Sequence, residues 1–589
     1  NNKEDLEEEL HYDFYTYPND AVKLWNLLLE KGKEFNVVPA GFKTREKLRQ
    51  DNGFPIYEDL SRNDKKKKRI DGLILYENSL KNSLKNNLKN LFVLKQPYFV
   101  GQNKFKKYFH GKLLDEKSFK DAQSYFISER ESNKNITLNK KEFPLKSVEE
   151  GILKRQKENP KRTPLYEEHK KLTNKITNFA GYEMPIWYTS ISEEHRAVRE
   201  TVGLFDVGHM GVIEISGENC INFLDIVTSN YIKWISDGQS QYTYLLDLDG
   251  KIIDDVIIYR IKKDKYMVIA NAVNEDKDFE WLKAVNSKKY IIDRDNILKE
   301  IENSVIIRNL KDESSGNDQK IDIALQGPNS LELLQSLTTD EEKKRELKRI
   351  KRTEFIETNL TGIEMLISRT GYTGEDTGYE LYIHPDEAPK LWNLLLEKGK
   401  QFGIKPCGLA TRDSTRIEAG LPLFGNDLAG RYNISPIEAG FGPHVKFHKP
   451  FFIGREKLLE REKSRKMDMI RFKMNRKGIK RVKNGDVVVS IIGQYIGNVT
   501  SCAPNAEGHQ IGLALVDKKF TQEGTEIGIF ALPHGKELEK EEQVNRLKFE
   551  EEKPKIQFKL GEKVLVHERA TILPRFMIEK GKTERPLME

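Results

Sequence analysis

The chain has 589 residues, of which 99 are Lys or Arg and 92 are Asp or Glu, leaving a net charge of +7 with 37% hydrophobic side chains. That length suits three or four domains of about 150 residues, each with enough apolar sequence for a core. The near balance of charge excludes a dedicated nucleic-acid binder, which gathers basic residues on one face, and no apolar run approaches the ~18 residues that span a bilayer. Cys220, Cys407 and Cys502 lie far apart, without metal or disulfide spacing, and read as buried thiols in a reducing compartment. The acidic opening NNKEDLEEEL does not resemble a secretory signal. The expectation is a soluble cytoplasmic protein with no metal, no nucleic-acid partner and no membrane partner.

The first feature along the chain is a repeat. Residues 12–57 align without a gap to 379–424, with 23 identities in 46 positions, where ordinary composition gives roughly two or three. The phrase KLWNLLLEKGK stands in both copies, at 23–33 and 390–400, and KQPYFVGQNKF at 95–105 mirrors HKPFFIGREKL at 448–458. Leu391, Leu394 and Leu395 are expected to face a core, so this helix is packing and carries no catalytic group. Residues 1–110 therefore read as a partial, degenerate repeat of the region 368–460. Inside it, NDKKKKR reads as a solvated loop. In NSLKNSLKNNLKNL, Leu80, Leu84, Leu88 and Leu91 share one face of a predicted helix. Residues 111–160 form a charged, Asn/Lys-rich linker.

Further on, DLDGKIIDDVIIYRI at 247–261 reads as a strand entered through a tight Asp-Gly turn. Alternation places Ile253, Asp255 and Ile257 on one side, and Ile252, Asp254, Val256 and Ile258 on the other. Both faces are otherwise apolar, so a carboxylate there needs a hydrogen-bond partner or a ligand. Either the aspartates bond the preceding turn or one of them serves a ligand. Asn271 follows another apolar strand, as a turn cap or as an amide aimed at a ring. TGYTGEDTGYEL at 370–381 contains Tyr372, Glu375 and Glu380. In GLATRDSTRIEAG, at 408–420, Arg412 and Arg416 share a helical face that Gly420 can terminate. Arg412 either pairs internally with Asp413 or Glu418 or meets a ligand carboxylate.

These segments, with RTPLYEEHKKL and NFAGYEMPIWYTSISEEHRAVRETVGLFDVGHMG (within 162–211), IALQGPNS (323–330) and KPFFIGREKL (449–458), resemble the glycine-cleavage T-protein family of folate-dependent aminomethyltransferases. The resemblance implies an α+β, three-domain cloverleaf around a central folate site. Two intertwined α+β domains would occupy 161–460, and a C-terminal β-barrel 465–578. It implies tetrahydrofolate as cosubstrate and lipoylated H-protein as partner. The aminomethyl carbon would pass from the lipoyl arm to the folate with release of ammonia. Its alternatives are demethylation of a small N- or S-methyl compound, or folate binding without catalysis.

By matched position, Asp255 is the catalytic carboxylate. Glu380 reads the pterin, with Glu375 as fallback because one extra residue separates the GE and YE pairs. Tyr242, Asn271, Tyr372 and Arg412 contact the cofactor, and His209 is structural. Three features depart from the family: Cys502 where Gly is usual, the inserted loop LKDESSGNDQK at 310–320, and the ending ERATILPRF. No barrel arginine is therefore assigned to a ligand. The first copy keeps Tyr12, Asp13 and Arg45 but lacks the aspartate strand, so it is expected to be inactive.

Overall fold

The computed structural model describes residues 108–109, 112–113, 140–145, 159–532 except 298, and 558–577 except 565 and 567. The chain divides into two compact units, 1–137 and 138–589. In the first, the described residues form an antiparallel pair, Tyr108–Phe109 with Lys112–Leu113. The repeat, the predicted helix over 80–91 and most of the linker lie outside the described residues.

The second unit has a mixed α/β fold built on two sheets and a barrel. The first sheet is antiparallel, ordered Ile306–Asn309, Gly211–Ser216, Lys265–Ala270, Ile252–Lys262 and Gln239–Leu246. On one face it buries Val256 and Ile258 with Phe223 and Leu224 of the helix Cys220–Val227 and Trp281 of the helix Glu275–Asn286. The second sheet is ordered Phe355–Leu360, Ile363–Ser368, Gly378–Ile383, Ile321–Gln326, Val202–Asp206 and Ile404–Cys407, with only the last pair parallel. The helix Ala388–Gly399 covers it, burying Leu391, Trp392 and Leu395 completely while Leu394 packs at the margin. The duplicated phrase is thus a core helix in its second copy.

The two sheets meet through their other faces. Ile257, Tyr259, Met267 and Ile269 from the first pack against Phe355, Leu366 and Tyr382 from the second. The third body is a closed barrel whose strands run Met467–Met474, Gln510–Asp517, Tyr495–Pro504, Val487–Ser490, Glu526–Phe530 and Glu568–Leu573. Cys502 is buried in its core. All three cysteines are free and buried, as their scattered positions suggested.

The turn before the aspartate strand forms as its residues require. Asp247 Oδ1 accepts from the amides of Asp249 and Lys251 at 2.9 and 2.8 Å, an Asx-type arrangement. Gly250 sits at φ +71°, where an added Cβ would meet the Leu458 amide nitrogen at 2.6 Å. The strand itself departs from plain alternation. Leu245 pairs with Asp254 and Leu246 with Ile252, so Ile253 is the extra residue of a β-bulge. Ile252 consequently packs with Tyr244 and Leu246, whereas Ile253 joins Val256 and Ile258. The two isoleucines have exchanged the faces expected of them, because a bulge resets the period of two. Asp254 and Asp255 still point to opposite sides.

The helix Leu409–Ala419 ends on Gly420 at φ +84°, the left-handed cap its sequence suggested. Arg416, 1% exposed, anchors this helix to the barrel. Its guanidinium donates to Asp413 at 2.8 Å, Asp427 at 2.5 Å and Ser501 at 2.8 Å. Asp427 in turn accepts from Thr500 at 2.5 Å and Ser501 at 2.8 Å. Removing one partner of a buried pair leaves the other charge uncompensated, at a cost of about 3–5 kcal/mol. Arg416→Met is therefore expected to lower the free energy of urea unfolding by roughly that amount. A loss below about 1 kcal/mol would show that the pair does not hold the barrel.

Candidate active site

Asp255 leaves the bulged strand toward the space between the sheets and is only partly exposed. Its Oδ2 accepts from the Tyr242 phenol at 2.8 Å and its Oδ1 from the Asn271 amide at 2.9 Å. The Tyr242 ring is fixed edge-on by His444 at 4.9 Å and by Tyr244 at 5.3 Å. On the opposite face Asp254, fully buried, accepts from the Asn271 backbone and side chain, both at 2.9 Å, and from Asn274 at 2.5 Å. The aspartates do not bond the preceding turn; that role belongs to Asp247. Asn271 is a brace shared by both carboxylates, and its side-chain oxygen accepts no hydrogen bond from the described residues.

Burial, and then the charge of Asp254, push the Asp255 carboxyl up to about 7. Two effects act together: desolvation disfavours the carboxylate, and a neighbouring like charge does so again. Asp255 thus gains and loses its proton near neutrality, the range suited to acid–base work.

Glu380 lies across the inter-sheet space on Gly378–Ile383. Its Oε2 collects three hydroxyls: Thr370 at 2.5 Å, Tyr259 at 3.2 Å and Tyr382 at 3.3 Å. Its Oε1 accepts no hydrogen bond from the described residues. Tyr259 ties the two halves of the site together. It lies four residues beyond Asp255 on the same face of the same strand, about 13 Å away at ~3.3 Å per residue.

Arg412 is partly buried, and its guanidinium rests over the Tyr372 ring at 5.0 Å. Neither Asp413 nor Glu418 neutralises it. Asp413 pairs with Arg416, and Glu418 takes His195 and Arg199, each at 2.8 Å. Among the described residues Arg412 has no ion pair. It lines two cavities that share Phe205: one includes Tyr372, Gln326 and Glu380, the other Met184, Asp206 and Gly408. The Tyr372 phenol donates to the Pro422 carbonyl. Burial pushes that phenol up, and Asp255 lies close enough to push it the same way.

The structure thus groups Glu380, Arg412 and Tyr372 around one cavity, and Asp255, Tyr242 and Asn271 in an adjoining cluster reached through Tyr259 and Tyr372. Glu375 is held by Arg199 at 2.7 Å and does not line the cavity. His209 is fully buried beside Phe179, neither ring nitrogen has a hydrogen-bond partner among the described residues, and burial lowers it to about 3. It is a neutral packing residue. Tyr259, Tyr382, Asn274 and Asp278 were not singled out from sequence. The period of two that exposed Asp255 also places Tyr259 on its face and Tyr382 on that of Glu380.

Residues 165–449 match a family described as the GCVT N-terminal domain. An aminomethyltransferase of Caldanaerobacter subterraneus is 39% identical over 376 residues, which cover 63% of this chain and 92% of that protein. The chain belongs to the aminomethyltransferase family. A second aminomethyltransferase, from Thermoanaerobacter pseudethanolicus, is 40% identical over 63% of this chain and 94% of its own length. The solved glycine cleavage system aminomethyltransferase T of Bartonella henselae superposes with a TM-score of 0.54 at 26% identity, covering 70% of this chain and 97% of that one. As a member of this family the chain is a transferase. Among the described residues of this aminomethyltransferase, no helix is long and apolar enough to cross a membrane.

A carboxyl group raised by folding binds its proton more tightly in the native than in the unfolded state. Its contribution to stability therefore falls as pH rises from about 4 toward 7. Asp255→Asn removes that penalty. The variant is expected to gain more melting temperature, relative to the parent, at pH 8 than at pH 5. An equal gain at both values would mean that Asp255 is not shifted.

Proposed function

We propose that this chain is the tetrahydrofolate-dependent aminomethyltransferase of a glycine cleavage system. It would take the aminomethyl carbon from the lipoyl arm of H-protein and release ammonia. The observation that carries this reading is the joint geometry of Asp255, Glu380 and Arg412 along one inter-sheet space. A partly buried cation with no ion pair and a carboxylate oxygen with no donor, both among the described residues, line one cavity. A reduced folate offers what each lacks: adjacent pterin N–H donors for Glu380 and tail carboxylates for Arg412. When bound, tetrahydrofolate supplies the N5 and N10 nitrogens that take up the carbon.

On this reading Glu380 orients the pterin, because its anchored Oε2 fixes the direction in which Oε1 points. Tyr372 and Arg412 act as a stacked wall. Asp255, near its midpoint at neutral pH, moves a proton on and off the reacting amine and stabilises positive charge as ammonia departs. Tyr242 and Asn271 hold its two oxygens in place, so no reorganisation is needed at the moment of reaction. On this reading the two sheets and the barrel would stand as the three lobes of a cloverleaf around the folate. A cytoplasmic location suits the reaction and the three free thiols.

The test is incubation with aminomethylated lipoyl protein and tetrahydrofolate, with ammonia and methylenetetrahydrofolate measured together. Asp255→Asn is expected to lower turnover by about 10²–10⁴-fold while folate still binds. Arg412→Ala is expected to weaken folate binding by on the order of tenfold or more. Folate binding without aminomethyl turnover by the parent chain would contradict the reading and favour demethylation of a small N- or S-methyl compound.

A further inference from the structure

The motif KPFFIGREKL opens on a lysine that the proposed reaction does not use. Lys449 is fully buried, where an ammonium without partners would be costly. Such an ammonium has three N–H donors, and three backbone carbonyls accept from it: Asp225 at 2.5 Å, Thr228 at 2.7 Å and Asn230 at 2.7 Å. The Asp225 carboxylate lies 3.5 Å from the same nitrogen. Asp225 stands in the last turn of the helix Cys220–Val227, and Thr228 is its C-cap. The last carbonyls of a helix have no partner within it, and that end favours a cation. The ammonium thus joins the end of this helix to Asn230, two residues beyond the cap.

The loop held in this way grips the strand Gln239–Leu246 at three successive residues. The Asn230 side-chain amide donates to the Tyr242 carbonyl at 2.9 Å, and the Asn230 backbone amide to the Thr243 hydroxyl at 2.9 Å. The Ser229 amide donates to the Tyr244 carbonyl at 3.0 Å. The Ser229 hydroxyl donates to the carbonyl of His444 at 3.2 Å, and the His444 ring is one of those that fix Tyr242 edge-on. The backbone of Tyr242 and the ring beside it are therefore both tied to the loop that Lys449 holds. A residue that only filled space here would need no charge. The first copy, which lacks the aspartate strand, has Gln96 at the matching position.

We infer that Lys449 is a positioning residue for Asp255: its ammonium gathers the carbonyls of Asp225, Thr228 and Asn230, and the loop so fixed holds Tyr242 where its phenol donates to the Asp255 carboxylate. Lys449 lines neither cavity beside Arg412 and acts only through Tyr242. The effect on turnover, unlike the placement of Tyr242, rests on the proposed aminomethyl transfer.

Fluorine NMR of the full chain labelled with fluorotyrosine tests the placement without assuming any reaction. Each resonance is assigned by its loss in the corresponding Tyr→Phe variant. The Tyr242 resonance is expected to move in Lys449→Met, which keeps the length of the side chain and removes the cation, while those of Tyr382 on the second sheet and Tyr495 in the barrel stay in place. No movement at Tyr242 would overturn the inference. Equal movement at Tyr382 and Tyr495 would overturn it too, by showing a packing role alone. Kinetics provides the second arm. Lys449→Met is expected to lower kcat by on the order of tenfold, while the KM for tetrahydrofolate, set by Glu380 and Arg412 on the proposed reading, changes by less than about twofold. In a Tyr242→Phe background the same change is expected to cost almost nothing further, and full multiplication of the two losses would contradict action through Tyr242. Lys449→Gln keeps two of the three donors and is expected to fall between the parent and Lys449→Met in both arms; it carries the same test if Lys449→Met does not fold. If the chain shows no aminomethyl transfer at all, the fluorine arm decides the inference alone, and only the proposed function fails.

Discussion

Placing carboxyl groups where water cannot stabilise them is the constraint around which this site is built. Asp254 is completely buried and Asp255 only partly exposed, yet both sit at the start of a strand whose isoleucines, valine and tyrosine belong to apolar clusters. Such an arrangement survives only if every carboxylate oxygen finds a donor or holds a proton. Asn271 serves both acids, Asn274 serves one and Tyr242 the other. The price of this crowding is a carboxyl that titrates near neutrality, which is the property a proton-transferring residue requires.

The arginine helix shows the opposite solution to the same problem. Arg416 is buried, and Asp413, Asp427 and Ser501 satisfy it, so it works as a structural bolt between helix and barrel. Arg412, one turn earlier, is left with an aromatic ring and a cavity. Two identical side chains four residues apart thus divide the labour of holding the fold and offering a charge to a ligand. His195, Arg199 and Glu418 tie this helix to Ile191–Glu200, which fixes the direction in which Arg412 emerges.

Much of this was legible in the sequence, for physical reasons that differ by residue. The core helix at 390–400 followed from its leucine spacing, and the end of the helix Leu409–Ala419 at Gly420 from the left-handed preference of glycine. The opposite orientation of Asp254 and Asp255 followed from strand alternation alone. The bulge at Ile253 did not, because a bulge is a property of how two strands pair and leaves no local mark in one of them. Arg412 stood between an internal ion pair and a free role, and only the third dimension shows that Arg416 takes Asp413 and that Arg199 and His195 take Glu418. Asp278 was passed over because an acid on a helix normally reads as solvated.

The central claim is that Asp255, Glu380 and Arg412 serve one bound reduced folate. A crystal structure of the chain with tetrahydrofolate tests it most directly. The expected result is a pterin held by Glu380 Oε1, a tail carboxylate against the Arg412 guanidinium, and Asp255 facing the N5–N10 edge with Tyr242 and Asn271 still in place. A folate bound away from Glu380 and Arg412, or Asp255 turned from it, would contradict the account.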